Sequence, residues 1–253
     1  MCLECGHGYV YLVPDFQKEE EVLDFTAFRC ITFDCYGTLI DWESGILGAL
    51  RPVLAAHSVE VSDAKLLELY GEVEAAEQRR SYRRYRDVLK AVVFGLGERL
   101  SFRASLADAE SLPNSLPRWQ PFPDTVAALR RLQAKYKLAI ISNIDDDLFA
   151  HSAKLLQVKF DAVTTAQQAQ AYKPSHKIFE LAFEKLGLPR AEILHAGQSL
   201  YHDMAPARVL GLHSVWVNRP SRRPGAGAVI SAPVKPDLEV GSVAELADAA
   251  LSD

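Results

Sequence analysis

The chain has 253 residues, 49% of them hydrophobic and 24% charged, with a formal net charge of −5. That length and apolar content suffice for a sizeable core, as one large domain or as a core with a smaller companion. The mild acidity argues against nucleic acid as an obligatory partner, and no apolar run reaches the roughly 18–20 residues of a membrane span.

In chain order, residues 1–26 read as an N-terminal extension outside the folded core, with an acidic run at Glu19-Glu20-Glu21. They lack a basic start followed by an apolar stretch, so a secretory signal is not expected and the expected location is cytoplasmic. Cys2-x-x-Cys5 with His7 nearby has half of a zinc-knuckle pattern, but no second Cys/His pair follows at finger spacing, so no metal is expected there. Of the other two cysteines, Cys30 is expected as a small core residue, and nothing requires disulfides.

The run 28–33 is apolar apart from Arg29 and predicts a buried strand. It ends in Asp34-Cys35-Tyr36-Gly37-Thr38-Leu39, a carboxylate followed by turn residues. A lone aspartate after a strand is most simply structural, so the later segments decide its meaning. Residues 46–111 predict helices: Ile46, Leu47, Leu50, Val53 and Leu54 recur at helical spacing, then Leu66, Leu67, Tyr70 and Val73, then Val88, Leu89, Val92, Val93 and Leu96. The basic clusters Arg79-Arg80 and Arg83-Arg84-x-Arg86 read as a solvated helix face. Pro113, Pro117, Pro121 and Pro123 then mark a return strap.

From Asp124 the pattern alternates. Asp124 is placed to cap a helix over 124–135. Strands are expected at 138–141, 160–164, 193–196, 213–217 and 237–240, with helices at 146–157, 175–186, 203–210 and 243–251 and a Pro/Gly/Arg-rich loop at 221–236. Such alternation implies right-handed crossovers and a parallel sheet. The expected fold class is therefore a doubly wound, Rossmann-like α/β core with a helical insertion after its first strand. Three strand ends carry polar residues: Asp34, Ser142 and the run after Ala196. Ligands gather at that edge of such a sheet, which points to an enzyme.

Phe33-Asp34-x-Tyr36-Gly37-Thr38-Leu39, Ile141-Ser142-Asn143, Tyr172-Lys173-Pro174 and Asp203 in a glycine-led fourth segment occur in that order over about residues 28–252. Together they resemble the four motifs of the haloacid dehalogenase superfamily, and within it most closely the 2-haloacid dehalogenase type. The resemblance implies a core of 27–45 plus 119–253 and a helical cap of 46–118. It also implies that Asp34 is the nucleophile, that Lys173 keeps it ionised, and that Asp203 orients or activates the water of a second step. Thr38 would brace the nucleophile loop, Ser142 and Asn143 would donate to the substrate's anionic group, and Tyr36 would wall the pocket. Gln198 and His202 would hold the water, with His202 a second candidate base. Taken alone, Asp203 reads equally as a helix N-cap.

Two departures separate the chemistries of that superfamily. A phosphomonoester leaves as an alkoxide and needs a proton, which the resembling phosphatases supply from an aspartate two residues after the nucleophile; here that position is Tyr36. They also place a carboxylate after the glycine of the fourth motif, where this chain has Gln198, a weaker ligand for magnesium. A halide needs no proton, so both departures imply metal-independent hydrolysis of a small 2-haloacid through an Asp34 ester, without a cofactor. Against it, 65–70 lacks the halide-receiving arginine that resembling dehalogenases carry early in the cap, and Arg79, Arg80 and Arg83 are the candidate substitutes. The alternatives are a magnesium-dependent phosphatase acting on a small phosphoester, and a fold-retaining binding protein without turnover. The expected partner is a small anionic molecule, with no nucleic acid or membrane, and a homodimer by analogy.

Overall fold

The computed structural model describes residues 23–219, 228 and 232–252. The Cys2/Cys5/His7 pattern, the acidic run and most of the 221–236 loop lie outside these residues. Six strands form one parallel sheet: β1 (Cys30–Phe33), β2 (Lys137–Ser142), β3 (Ala162–Thr165), β4 (Ile193–Gly197), β5 (His213–Val217) and β6 (Leu238–Val240). Their order is β3-β2-β1-β4-β5-β6. The chain therefore winds outward from β1 in one direction through β3 and then in the other through β6. The strand order reverses between β1 and β4, where such sheets open a crevice at their carboxyl ends. In register, Phe33 lies opposite Ile140 of β2 and Ala196 of β4, so Asp34 leaves the sheet at that crevice.

Between β1 and β2 the chain inserts α1 (Trp42–Ala56), α2 (Asp63–Gln78), α3 (Tyr85–Arg99), α4 (Leu106–Ala109), α5 (Ser111–Ser115) and a 3₁₀ turn, Leu116–Arg118. The apolar stripes expected for the first three helices are all buried, so their amphipathic spacing is what packs the insertion. The core helices are α6 (Thr125–Gln133), α7 (Asp146–Leu156), α8 (Ala166–Ala169), α9 (His176–Leu186), α10 (Ala205–Val209) and α11 (Val243–Leu251). α6 packs on α11, and α9 covers β2 and β3. No helix among the described residues is long and apolar enough to cross a membrane.

Four expectations change. The first strand starts at Cys30, because a 3₁₀ turn at Phe25–Ala27, capped by Asp24, precedes it. The 203–210 helix is a π-helical turn, Leu200–Met204, followed by α10. Asp124 does not cap α6 with its side chain; the carboxylate instead accepts from Val243 N and Ala244 N at the start of α11 and pairs with Arg219 at 2.7 Å. The basic cluster is not simply a solvated face. Arg84 and Arg86 both reach Asp147, while buried Asp145 accepts from Tyr85 N and Arg86 N at 3.0 Å each. That arrangement caps α3 from the loop after β2, because the four free N–H groups of a helix start need acceptors.

Candidate active site

At the end of β1, Asp34 N bonds to Ala196 O of β4 at 2.9 Å, which ties its backbone to the sheet while the side chain leaves it. Gly37, at φ +94°, then turns the chain back, and its N–H bonds to Ile40 O at 2.9 Å. That positive φ is what requires glycine; a Cβ would also lie 2.4 Å from Gln198 Oε1, so the glutamine tip would have to move. Thr38 Oγ1, fully buried, donates to Asp34 Oδ2 at 2.8 Å and accepts from Gln198 N at 2.9 Å. One hydroxyl thus links the first and fourth motifs.

Lys173 is 2% exposed, and its three ammonium donors are all used: Asp34 Oδ1 at 2.7 Å, Asp203 Oδ1 at 2.6 Å and Ile141 O at 2.9 Å. The Lys173–Pro174 peptide bond is cis. Asp203 is fully buried inside the π-helical turn, where Ser199, not Asp203, is the N-cap residue. The N-cap alternative for Asp203 is therefore set aside. Gly197 is needed here too, since a Cβ would lie 2.6 Å from Asp203 Cγ. Behind Asp203, His195 Nε2 lies 3.2 Å from Oδ1, and His195 Nδ1 lies 2.9 Å from Thr32 Oγ1. An ionised carboxylate only accepts, so His195 Nε2 carries a proton. A buried chain thus runs Thr32–His195–Asp203–Lys173–Asp34.

Burial pushes both carboxyls upward, but the balance differs. At Asp34 burial and the neighbouring Asp203 outweigh Lys173, and its pKa is raised. At Asp203, Lys173 and the His195 bond outweigh burial, so its carboxyl is held below the usual range. Burial lowers the pKa of Lys173, but its two carboxylate partners more than reverse that, and it stays charged. Burial also lowers His202 to about 4, so it is neutral near pH 7.

Asp34, Tyr36, Ser142, Asn143, Lys173, Gln198, His202 and Asp203 all line one cavity of about 60 Å³. At roughly 10–15 Å³ for each water-sized occupant, it has room for a molecule of only a few heavy atoms. Thr38 sits behind it, on Asp34. Ser142 Oγ is buried without a hydrogen-bond partner among the described residues, which suits a donor awaiting a ligand. Asn143 is more committed: its Oδ1 accepts from Lys173 N at 2.7 Å, and its Nδ2 makes long contacts to Lys173 O and Gln78 Oε1. It orients the Lys173 peptide, and only its weakest bond is free to exchange. Tyr36 contributes its ring to the wall, packed edge-on to Trp119, while its hydroxyl bonds to Ser152 Oγ at 2.8 Å.

None of the candidate arginines lines the cavity. Arg79 bonds to Ala75 O of its own helix, and Arg80 and Arg83 pair with Glu77. Among the described lining residues Lys173 is the sole cation. In place of an arginine, the insertion presents Trp42, Glu74 and Tyr85 to the cavity. Sequence reasoning missed these three, although Glu74 follows Tyr70 by four positions on the buried face of α2, an unusual place for a carboxylate. His195, a polar residue within the run Ile193–Gly197, carried a similar signal.

Magnesium takes about six oxygen ligands in a near-octahedral shell. Here the Asp34 and Asp203 oxygens already serve Lys173, Thr38 and His195, and Gln198 is neutral. No group of three or more His, Cys, Asp or Glu side chains that could hold a metal occurs among the described residues. This donor set does not fit magnesium.

Residues 28–211, well over half the chain, match the family described as haloacid dehalogenase-like hydrolase. The chain belongs to the haloacid dehalogenase-like hydrolases. A curated relative, the (S)-2-haloacid dehalogenase of Pseudomonas sp. (strain YL), is 30% identical over 201 residues, covering 75% of this chain and 82% of its own. The glyceraldehyde 3-phosphate phosphatase of Methanothermobacter thermautotrophicus is 27% identical over 199 residues, 75% and 85% of the two chains. Among solved structures, the L-2-haloacid dehalogenase of Xanthobacter autotrophicus with chloropropionic acid covalently bound superposes with a TM-score of 0.73 at 21% identity, over 87% of this chain and 97% of that one. At that identity the likeness establishes a shared haloacid dehalogenase-like fold. The resemblance drawn from the four motifs is thereby borne out, and the protein is a hydrolase of this family.

Proposed function

We propose that this hydrolase removes halide from a small 2-haloacid without a metal, using Asp34 as the nucleophile. In the first step an Asp34 carboxylate oxygen attacks C2, forms a C–O bond and expels the halide with the C–X electron pair, inverting the carbon. In the second, water attacks the carbonyl carbon of the Asp34 ester, and its proton passes to neutral His202 or to Asp203. The products are a 2-hydroxy acid carrying an Asp34 oxygen, a halide ion and a proton. The helices of 46–118 act as the cap over this site.

The observation that carries the reading is the direction of the Tyr36 hydroxyl. It is bonded to Ser152 Oγ and makes no hydrogen bond to Asp34, and a phenol there is no substitute for the carboxylic acid that would protonate an alkoxide. The size of the cavity and the poor fit for magnesium support the same choice, as do the names of the 30% identical relative and the covalently occupied neighbour. The test is halide release from chloro-, bromo- and fluoroacetate and from 2-halopropionates, with and without chelator. A single turnover in heavy-oxygen water is expected to label Asp34 before the product, and Asp34→Asn to abolish release. Label entering the product directly would sink the ester scheme. Activity on phosphoesters that a chelator abolishes would favour the phosphatase, and Asp34→Asn changing nothing but stability would favour the binding protein.

A further inference from the structure

Glu74 projects from α2 into the cavity and is only 7% exposed. Both of its phenolic partners approach the same oxygen: Tyr85 OH makes a short bond to Oε1, and Tyr70 OH lies 3.3 Å from it, with the phenols 3.2 Å apart. Oε2 has no hydrogen bond to any described residue. A neutral carboxyl fits this pattern, because its carbonyl oxygen has two lone pairs for two donors and its hydroxyl oxygen is left to donate. Trp42 Nε1 and Ser142 Oγ, lining the same space, are buried without partners among the described residues.

The charges around Glu74 explain why this matters. From the sheet side Asp34, Asp203 and Lys173 face the cavity and sum to −1; His202 is neutral, and Tyr70, Tyr85 and Tyr172 are un-ionised, their phenols raised by burial. An ionised Glu74 would bring that total to −2 opposite an anionic guest; Arg79, whose charge reaches His202, does not line the cavity. We propose that Glu74 is a specificity-determining residue whose protonated carboxyl donates from Oε2 to the monoanion in the cavity, whether substrate carboxylate or departing halide, in place of a cation. This rests on the haloacid reading and names the group that makes the site accept a negative charge. Burial and Asp34 push Glu74 upward, against the two phenol bonds, to about 7. Its donor form therefore predominates below neutrality and is lost above it.

The test measures binding, not turnover, by Trp fluorescence titration of the full-length protein from pH 6 to 9. Sodium bromide probes the halide, and lactate, a carboxylate without halogen, probes the acid group. Affinity for at least one is expected to fall about tenfold per pH unit above the Glu74 midpoint, since one ionisation then opposes binding. The anion that responds identifies which group Oε2 contacts. Glu74→Gln, which keeps a donor but cannot ionise, is expected to give a flat profile. Tyr85→Phe, which removes a bond holding the carboxyl down, is expected to move the midpoint up. Pairing each titration with halide release separates the two failures. Anion binding that follows Glu74 without haloacid turnover overturns the haloacid reading alone. Haloacid turnover with a pH profile unchanged in Glu74→Gln and a midpoint unmoved in Tyr85→Phe overturns the role of Glu74, as does an affinity independent of pH in the unsubstituted protein.

Discussion

Replacing Lys173 by Met removes one ammonium and strands two carboxylates. Its Nζ bonds at 2.6–2.9 Å to three acceptors, and the side chains of Lys173, Asp34 and Asp203 are 2%, 11% and 1% exposed, so little water can take its place. Removing one partner of a buried ion pair costs about 3–5 kcal/mol, because the remaining charge is uncompensated. At roughly 2–4 °C per kcal/mol for a chain of this size, that is a fall in Tm of about 6–20 °C at pH 7. The deficit has a definite pH dependence. In the unsubstituted protein the Asp203 carboxyl is held down, so it stabilises the fold above its unfolded pKa and less as the pH falls. Without Lys173 both buried carboxyls are raised, so each costs stability increasingly as the pH climbs past the unfolded value. The gap between the two proteins should therefore be widest near pH 7 and narrow toward pH 4. Thermal and urea melts across that range measure it, with halide release alongside, where a loss of at least a hundredfold is expected. A gap that is constant with pH, or activity within tenfold, would refute the idea that Lys173 acts by holding these two charges.

Tyr36→Phe removes only the bond to Ser152, so it should cost about 1 kcal/mol of stability and leave kcat/KM within a few-fold; a loss of a hundredfold would mean that the hydroxyl serves the chemistry. Gly37→Ala places a methyl 2.4 Å from Gln198 Oε1 at a positive φ, and should lower both Tm and turnover more than Gly48→Ala, where a Cβ meets nothing within 4 Å. His202 has its pKa lowered to about 4, below the ordinary imidazole value, so it favours the fold above the unfolded pKa and withdraws that support as the pH falls through 6.5 toward 4. His202→Gln should flatten that part of the stability curve in pH-dependent denaturation.

The sheet was legible because each strand is a short apolar run between helical repeats, as in 138–141 and 193–196, and burial on both faces demands such runs. The candidate site was legible where chemistry coincides with a strand end, as at Asp34 and Ser142. What escaped was set by distant partners. Asp124 was expected on its own helix because nothing local reveals that α11 starts beside it, 119 positions later. Arg84 and Arg86 looked like a solvated face because Asp147, 63 and 61 positions away, is not visible from their neighbourhood. Glu74 carried its signal locally, as a carboxylate in the apolar register of α2, but its meaning depends on Tyr85 from another helix and Asp34 from the sheet.

The Asp145 cap on α3 has a kinetic consequence. Asp145 follows Asn143 by two positions, so one short loop holds the start of α3 and also the amide that orients Lys173. The insertion cannot swing away at α3 without either breaking two charge-assisted bonds, at about 1.5–3 kcal/mol each, or dragging that loop and loosening the lysine. Movement of α3 and the setting of Lys173 beside Asp34 are thus mechanically geared: a door whose hinge pin is also part of the lock.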